Sequence, residues 1–282
     1  MTRRAAVAKT YKLYLGGAFV RSESGRSDPT TSHDGAHVAN VPRSSRKDVR
    51  DAVKAARAAQ AGWAKRTAYN RGQVLYRFAE ALESRAEELA RAAAAQQDVA
   101  LAAAREEVGA AVDLLVHYAG WTDKLAAVMG GVNPVAAPYL SFSVPEPTGV
   151  VAVLAPDEPD LLGLIRELAP ALAAGNTVVA LVSRRRPLRP LDLGEIAGVS
   201  DLPAGTLNLL CGRIDELLAP LCGHRDVNAI VDASGESALA AGIDELAAET
   251  VKRVTRPAPD GDSLGRLEAL TELKTAWHPV GS

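Results

Sequence analysis

Two cysteines and five histidines are the side chains best suited to nucleophilic or metal chemistry in this chain of 282 residues. They are Cys211 and Cys222, with His33, His37, His117, His224 and His278. A disulfide framework or a four-cysteine zinc site needs more than two cysteines. The histidines are scattered, and none stands beside a second type of ligand at the spacing of a metal site. We therefore predict no metal site.

Neither cysteine lies in a sequence context that would activate a thiol. Cys211 ends an apolar run typical of a buried strand, and Cys222 falls inside a predicted helix. Nothing evident in the nearby sequence would lower a thiol pKa. We interpret both as inert small hydrophobic residues, and His117 as a packing or surface histidine on a long helix.

Sequence motifs that signal a nucleotide or a hydrolytic site are also missing. The chain has no HExxH, CxxC, GxSxG or GxxxxGK[ST] motif, and no GxGxxG follows a predicted strand. The basic run from Arg184 to Arg186 could bind a phosphate or form a solvated surface patch, and we favour the patch. Motifs alone therefore indicate no chemistry.

Composition narrows the class of protein. A formal net charge of -2 gives no global positive field for nucleic acid or an anionic membrane. Hydrophobic residues at 48% and charged residues at 23% are typical of a folded globular chain. The N-terminus lacks the apolar region of a secretory signal, and no uncharged apolar run approaches the ~18 residues of a membrane span. We expect a cytoplasmic protein, and the abundance of Ala, Arg and Leu is typical of a GC-rich bacterial genome.

The first 130 residues are predicted to be mainly helical. "YKLYLGGAFVRS" predicts a small hairpin around Gly16-Gly17, and residues 22–43 are predicted to be loop. Ser45 with Asp48 three residues on indicates a capping box that opens the first helix. The apolar spacing predicts two further helices, over 70–95 and 101–129.

Strands and helices alternate in the second half of the chain. "YLSFSVPEPTGVVAVLAP" predicts a hairpin whose second strand continues into a buried one, and "NTVVALVS", "TLNLLCG" and "VNAIVDAS" predict buried strands separated by helices. This alternation indicates an α/β fold, a Rossmann-like open parallel sheet with helices on both faces. "LTELKTAWHPVGS" predicts a lone strand over 272–278 after a polar linker.

The order of these segments resembles the aldehyde dehydrogenase superfamily over nearly the whole chain. "EPTGVVAVLAP" with "LLGLIRELAPALAAGNTVVAL" is similar to that family's first nucleotide-binding strands and helix. "LPAGTLNLLCG", which ends at Gly212, is similar to its "PPGV-N-V-G" turn and strand. "ETVKRVT" is similar to the segment before its "ELGGK" motif. "VPEPTGVVAVLAPDEP" and "KTAWHPVG" resemble more narrowly the atypical two-domain branch and its bacterial relatives.

The resemblance implies a chemistry that this chain does not retain. Members of the family use a cysteine thiolate, an asparagine oxyanion donor and a glutamate base, with NAD or NADP across the sheet. At the family's Pro-Trp-Asn, this chain has Pro156, Asp157 and Glu158. A carboxylate would repel the oxyanion, and loss of one neutral donor costs about 3 to 4 kcal/mol in a protease.

The coenzyme-binding positions implied by the resemblance are altered too. Leu181 and Arg184 align with the Lys and Glu that hold the adenosine ribose, and a leucine cannot hydrogen-bond the ribose. Arg184 could meet a 2′-phosphate. The glycine-serine loop persists in altered form as Ser234-Gly235. The vestigial cofactor-binding set is Pro156, Asp157, Arg184, Gly212, Ser234 and Gly235, for which we expect no cofactor, with weak binding of NAD or NADP as the alternative.

The family's glutamate base aligns with Pro257, and the segment that would carry its nucleophilic cysteine is missing. We therefore expect no catalytic residues, and a linker that replaces the catalytic domain. The predicted organisation is 1–137 (N-terminal hairpin and helical part), 138–150 (oligomerisation hairpin), 151–256 (Rossmann-like core), 257–270 (linker) and 271–282 (oligomerisation strand).

The parts that would drive assembly are retained. In the family, the hairpin and the terminal strand form a flap that pairs with a neighbouring subunit, and an isolated flap with unpaired edges is a liability in water. We predict a catalytically inactive accessory subunit that forms a homodimer or pairs with a full-length paralogue. The alternative is the NAD(P)-binding half of a split dehydrogenase that a partner chain completes. A third possibility is a degenerate gene product, against which the consistent caps, turns and strands argue.

Overall fold

The structure is a computed structural model that describes residues 9–258 and 263–280. Its strands are β1 (Leu13–Leu15), β2 (Ala18–Val20), β3 (Ser27–Thr31), β4 (His37–Pro42), β5 (Gly131–Asn133), β6 (Tyr139–Pro147), β7 (Val150–Leu154), β8 (Thr177–Leu181), β9 (Leu207–Leu210), β10 (Ala229–Asp232), β11 (Arg253–Thr255) and β12 (Thr271–Pro279). Its helices are α1 (Arg46–Ala64), α2 (Ala68–Glu83), α3 (Ala86–Gln97), α4 (Leu101–Trp121), α5 (Leu125–Met129), α6 (Asp160–Ala173), α7 (Leu188–Gly198), α8 (Ile214–Cys222), α9 (Ala240–Ala248) and α10 (Ser263–Ala269), with a short 3₁₀ turn at Ser237–Leu239.

A seven-stranded sheet forms the centre of the molecule, in the order β11-β10-β7-β8-β9-β1-β2. Strands β7 to β11 are parallel, and every residue of β7, β8, β9 and β10 is buried. Following the chain, β8 and β9 are added on one side of β7, whereas β10 and β11 are added on its other side. Because crossovers between parallel strands are right-handed, α6 and α7 cover one face, and α8 and α9 cover the other. The predicted α/β architecture is confirmed.

Turn and helix-capping residues in the sequence explain the first hairpin and the start of the first helix. Strands β1 and β2 form the predicted hairpin around Gly16 and Gly17, whose φ angles of 60° and 81° suit a two-residue turn that requires positive φ. A Cβ at Gly17 would lie 2.7 Å from the Cβ of Ala204, so close packing also requires glycine there. Ser45 and Asp48 form the predicted capping box of α1.

Three N-terminal predictions were wrong in detail. Residues 22–43 are not only loop, because β3 and β4 pair there as a two-stranded sheet. The helix predicted over 70–95 is two helices, and Ser84, whose hydroxyl donates to the carbonyl of Ala81, ends the first. The helix predicted over 101–129 also divides, and Thr122 donates to the carbonyl of Ala119 at that break. Such hydroxyls compete with the backbone for helical hydrogen bonds.

The hairpin predicted at 138–150 is not a hairpin. Residues Tyr139–Pro147 form one long strand, β6, whose partners are β5 on one side and β12 on the other. The chain then turns at Gly149, with φ 133°, and enters the central sheet as β7. The three-stranded sheet is therefore present, but β5 supplies the strand that the second arm of the hairpin was expected to supply. We call this sheet of β5, β6 and β12 the flap.

The segment predicted as a linker, 257–270, contains the helix α10 at Ser263–Ala269. Residues 259–262 of that segment lie outside the described residues. Leu267 and Leu270 are buried, so the end of this segment packs against the core. Strand β12 covers Thr271–Pro279, which lies within the predicted segment 271–282 and extends one residue beyond each end of the strand predicted over 272–278.

Candidate functional site

A cavity of about 570 Å³ opens at the carboxyl ends of the parallel strands. Strand β7 leads through α6 to one side of the sheet, whereas β10 leads through α9 to the other. The point where the connections diverge is where open α/β sheets bind their ligands. The residues that line the cavity include Leu154, Asp157, Leu181, Ser183, Arg184, Arg185, Gly212, Asp215, Ser234 and Glu236.

Four of the six residues in the predicted cofactor-binding set line this cavity, namely Asp157, Arg184, Gly212 and Ser234. Pro156 is adjacent to the lining but packs on the first turns of α6, where a Cβ at Gly163 would lie 2.5 Å from its Cγ. Gly235 follows Ser234 with a φ of 73°, a conformation that favours glycine. The structure thus brings the set to one edge of the sheet, from the ends of four strands.

Asp157 connects two of the loops around the cavity. Its carboxylate accepts a 2.7 Å hydrogen bond from the Ser183 hydroxyl and a longer one of 3.5 Å from the backbone N–H of Arg185. The Ser183 hydroxyl in turn accepts from the backbone N–H of Arg186 at 2.9 Å. The loop after β7 is therefore tied to the loop after β8 by a side chain that carries a negative charge.

The charges around the cavity oppose one another. Asp157, Asp215 and Glu236 supply carboxylates, and Arg184 and Arg185 supply guanidinium groups. Both arginines are exposed, and no ion pair holds either side chain within the described part of the chain. Cationic side chains and backbone N–H groups are the donors that hold a pyrophosphate, and carboxylates repel it. The lining therefore combines groups that would attract a phosphate with groups that would oppose it.

The glycine-serine loop is folded back on the end of β10. The Ser234 hydroxyl donates to Asp232 at 2.7 Å, and Arg256 donates to the same carboxylate at 3.2 Å and to Asp244 at 2.8 Å. Pro257, at the position that the resemblance assigns to the base, lines a separate cavity of about 240 Å³. The carboxylate in that cavity belongs to Glu167, which is ion-paired with Arg266.

Burial keeps both thiols protonated. It raises the pKa of the Cys211 thiol to about 12, with a further contribution from the charge of Asp28. It also raises the pKa of the Cys222 thiol to about 12, with Asp232 adding to the effect. Neither cysteine lines the 570 Å³ cavity, so no thiolate faces it in the part of the chain that the structure describes. A nucleophilic cysteine requires the opposite environment.

We expect both cysteines to resist alkylation in the folded protein. At pH 8 a thiol with a pKa near 12 is thiolate in only about one molecule in ten thousand, against roughly one in four for an unperturbed thiol. Iodoacetamide should leave the native chain unlabelled and should label both cysteines in denaturant, as read by intact-mass spectrometry. Rapid native labelling of either cysteine would contradict this prediction.

The histidines and the remaining acidic residues do not gather into a metal centre. Within residues 9–258 and 263–280, no group of three His, Cys, Asp or Glu side chains could hold a metal ion. His117 accepts a 3.0 Å hydrogen bond from the indole N–H of Trp121 on the same helix. None of the helices in the described ranges combines the length and apolar composition that a membrane crossing requires.

Sequence reasoning missed two buried ion clusters, the second of which lines the 240 Å³ cavity. Arg189 pairs with Asp160 and Glu107, and it is almost fully buried. Arg266 pairs with Glu167 and also donates to the carbonyl of Ala258. Motif scanning could not find these clusters, because their members are distant in sequence and Arg266 lies in the segment that was predicted as a linker.

The sequence of this chain is similar to sequences of known proteins. A sequence model of the Aldehyde dehydrogenase family matches residues 19–257. Hydroxyisobutyraldehyde dehydrogenase of Mycolicibacterium austroafricanum is 36% identical over 221 residues, which are 77% of this chain and 43% of that protein. 2-Hydroxymuconic semialdehyde dehydrogenase of Pseudomonas sp. (strain CF600) is 34% identical over 260 residues, 88% of this chain and 52% of that protein.

Solved structures agree with the sequence matches. The NAD+ complex of an aldehyde dehydrogenase from Bacillus cereus has a TM-score of 0.83 and 29% identity, and the match covers 88% of this chain and 50% of that chain. This chain therefore spans about half the length of the relatives that it matches.

Proposed function

We propose that this chain, which belongs to the aldehyde dehydrogenase family, is a catalytically inactive assembly subunit of that family. The observation that carries the proposal is the junction after β11. Arg256 and Pro257 follow the strand where the resemblance implies a base, and α10 then leads directly into the flap. The presence of the flap directly after this junction, with a proline at the position of the base, supports an assembly role over a catalytic one.

Chemistry of the family's kind needs a thiolate, a base and oxyanion donors in one cleft. Both cysteines are buried with raised pKa values. The side chain at the oxyanion position is the carboxylate of Glu158, and the residue at the base position is Pro257, which has no titratable group. Each of these three differences alone supports loss of activity.

The flap supports the assembly role. Large apolar side chains on β5, β6 and β12 are more than a third exposed, namely Val132, Tyr139, Leu140, Val144, Leu273 and Trp277. By the strand register, Val132, Leu140 and Val144 lie on one face of the flap, and Tyr139, Leu273 and Trp277 lie on the other. Exposed apolar side chains grouped in this way support a protein interface. The flap also projects two strand edges, β5 and β12, that have no partner strand within the described ranges.

The proposal is tested by activity and by assembly together. The purified chain, incubated with NAD or NADP and a panel of aldehydes, should produce no NADH or NADPH above the buffer rate. Size-exclusion chromatography with light scattering should show the chain as a dimer, or in complex with a full-length aldehyde dehydrogenase from the same organism. A chain that oxidises aldehydes, or that stays monomeric alone and with such a dehydrogenase, would refute the proposal.

A second candidate function is the nucleotide-binding half of a split dehydrogenase. The observation in its favour is the 570 Å³ cavity at the divergence of the sheet connections, whose lining includes the exposed Arg184 and Arg185. The charge of Asp157 opposes it. Relatives of this chain have been solved with bound NAD+, which makes the test direct.

We expect isothermal titration with NAD and NADP to detect no binding at micromolar concentrations. Asp157 is half-buried. Replacing it with asparagine removes about 1 kcal/mol of repulsion, so Asp157→Asn should bind either nucleotide roughly fivefold more tightly than the unmodified chain. Asp215→Asn, which removes a charge elsewhere in the lining, is the matched control. Clear micromolar binding by the unmodified chain would favour the split-enzyme function instead.

A further inference from the structure

The free edge of β12 is a long, ordered and unoccupied pairing surface. Strand β12 covers Thr271–Pro279, and β6 is its one neighbour among the strands of the described residues. Residues 272–280 are all exposed. Proteins usually shorten, bend or charge such an edge because it pairs readily with another strand.

Two prolines on β6 determine which backbone groups face this edge. Pro145 lies opposite Leu273, and Pro147 lies opposite Thr271. Proline has no N–H, and in an antiparallel ladder hydrogen-bonded pairs alternate with non-bonded ones. The odd-numbered residues of β12 therefore belong to the pairs that form no backbone hydrogen bonds with β6.

The hydrogen bonds at both ends of the ladder agree with this alternation. Thr148 donates to the carbonyl of Leu270 at 3.3 Å, and Val280 donates to the carbonyl of Pro138 at 2.9 Å, so the residues that bond to β6 are even-numbered. The outward N–H and C=O groups belong to the odd-numbered residues, which are Thr271, Leu273, Thr275 and Trp277, with the carbonyl alone of Pro279.

The side chains along the edge are apolar on both sides of a central threonine. Leu273 and Trp277 share one face of the strand and are 58% and 60% exposed. Trp277 packs edge-on against Tyr139, with the ring centroids 6.1 Å apart. Thr275 lies midway between Leu273 and Trp277, so the apolar pattern is symmetric about it.

Side-chain hydrogen bonds anchor the start of strand β12 to the rest of the molecule, and the ladder with β6 supports its full length. Arg253 donates to the carbonyls of Ala269 at 2.9 Å and Thr271 at 2.7 Å. The side-chain amide of Asn176 donates to the carbonyl of Leu270 at 3.0 Å. A partner strand would meet a preorganised edge, which lowers the entropy cost of binding.

We propose that the free edge of β12 pairs antiparallel with β12 of a second copy of this chain, around a two-fold axis at Thr275, so that the two flaps form one six-stranded sheet. This proposal names the partner for the assembly surface of the proposed function and rests on it. Leu273 of each copy then lies opposite Trp277 of the other, and an isologous interface of this kind closes on itself.

The charges of the side chains and the length of the paired segment favour this register over those in which the axis is shifted by one residue. With the axis at Thr275, all nine residues pair, and Glu272 faces His278 of the second copy. With the axis one residue earlier, Lys274 faces Lys274 of the second copy, and like charges directly opposite each other are destabilising. With the axis one residue later, the two strands overlap only over residues 273–279. The central register, which pairs the whole strand and opposes no like charges, is therefore favoured.

A proline substitution tests the pairing, because it is known which residues of β12 direct their N–H groups to the free edge and which direct them to β6. The N–H of Thr275 points to the free edge, so Thr275→Pro deletes a donor to the second copy and leaves the ladder with β6 intact. We expect loss of the dimer in sedimentation analysis, with an unchanged far-UV circular dichroism spectrum. Thr275→Val is the matched control, because it keeps the N–H while removing the hydroxyl that contacts Ser143 at 2.8 Å. It should remain dimeric.

A cysteine pair tests the register. Residues at the axis form a hydrogen-bonded pair with Cα atoms about 5.5 Å apart, within the range for a disulfide. Thr275→Cys should therefore form a covalent dimer under mild oxidation, and Lys274→Cys should not, because it faces Ala276 of the second copy. The native cysteines are buried and do not interfere.

Several outcomes would overturn the self-pairing. These are a monomeric chain at high micromolar concentration, a dimer that survives Thr275→Pro, or cross-linking of Lys274→Cys in place of Thr275→Cys. A chain that binds a full-length dehydrogenase through β12 but does not associate with itself overturns this inference and leaves the proposed function standing. Aldehyde oxidation by the chain overturns the proposed function, whatever the cross-linking shows.

Discussion

Replacing Glu167 with alanine is expected to destabilise the fold by about 3 to 5 kcal/mol, because it leaves a buried guanidinium without its counter-charge. Glu167 on α6 pairs with Arg266 on α10, and the two side chains are only 6% and 5% exposed. Burial raises the pKa of Glu167, and the charge of Arg266 opposes that shift. Urea denaturation followed by circular dichroism measures the loss.

An apolar replacement of both partners is the control for this experiment. Glu167→Leu combined with Arg266→Leu removes both charges together, so its stability should lie within about 1 to 2 kcal/mol of the unmodified chain. A Glu167→Ala variant as stable as the double replacement would show that the pair contributes nothing. The distinction matters for assembly, because Arg266 anchors α10, and α10 leads directly into β12.

Hydrogen exchange gives a second readout of the same variant. If the ion pair holds α10 on the core, Glu167→Ala should speed amide exchange in α10 and at the start of β12 more than in the central sheet. Uniform acceleration across the chain would instead indicate a general loss of stability.

Replacing Arg189 with methionine is expected to cost a similar amount, about 3 to 5 kcal/mol, for the same reason. Arg189 on α7 is 1% exposed, and its guanidinium bonds to Asp160 and, at 2.8 Å, to Glu107. Methionine approximates the length of the arginine side chain but leaves two carboxylates close together without a cation. Thermal and urea denaturation both measure the effect.

An exposed ion pair provides the matched control. Arg77 pairs with Asp201 at 2.9 Å, with side chains 58% and 65% exposed. Because water and salt screen such pairs, Arg77→Met should change the free energy of unfolding by about 1 kcal/mol at most. If Arg77→Met and Arg189→Met destabilise equally, burial of the Arg189 cluster is not what makes it important.

The Arg189 cluster also bears on the cavity. Asp160 is the first residue of α6 and follows the loop that carries Asp157. Gln97 donates to Asp160 at 3.2 Å and accepts from Arg186 at 3.0 Å, so the cluster reaches the loop after β8. Loss of Arg189 should therefore loosen both loops that Asp157 connects.

Much of the fold followed from local patterns in the sequence. The strands β7, β8, β9 and β10 are short apolar runs bounded by turns, and each is buried as expected. Ser45 with Asp48 is a capping signal that operates within one helical turn. Such features depend on neighbours in the chain, so the sequence predicts them well.

The flap shows where local patterns fail. Strand β6 alternates as a strand should, but its partners are β5, just before it, and β12, about 130 residues later. The alternation predicts a strand without specifying which strand lies beside it, and so the sequence suggested a hairpin at 138–150. The helix α10 is too short to form by propensity alone, and burial of Arg266, Leu267 and Leu270 against the core stabilises it.

The sequence by itself determined the family, the parallel sheet and the replacement of the base by Pro257. These conclusions depend on the identity and order of residues along the chain. Only the tertiary structure decided that Asp157 ties two loops, that Glu167 neutralises Arg266, and that Pro145 and Pro147 turn the odd-numbered groups of β12 outward. Each of these depends on contacts between residues distant in sequence, whose energies come from burial and pairing in three dimensions.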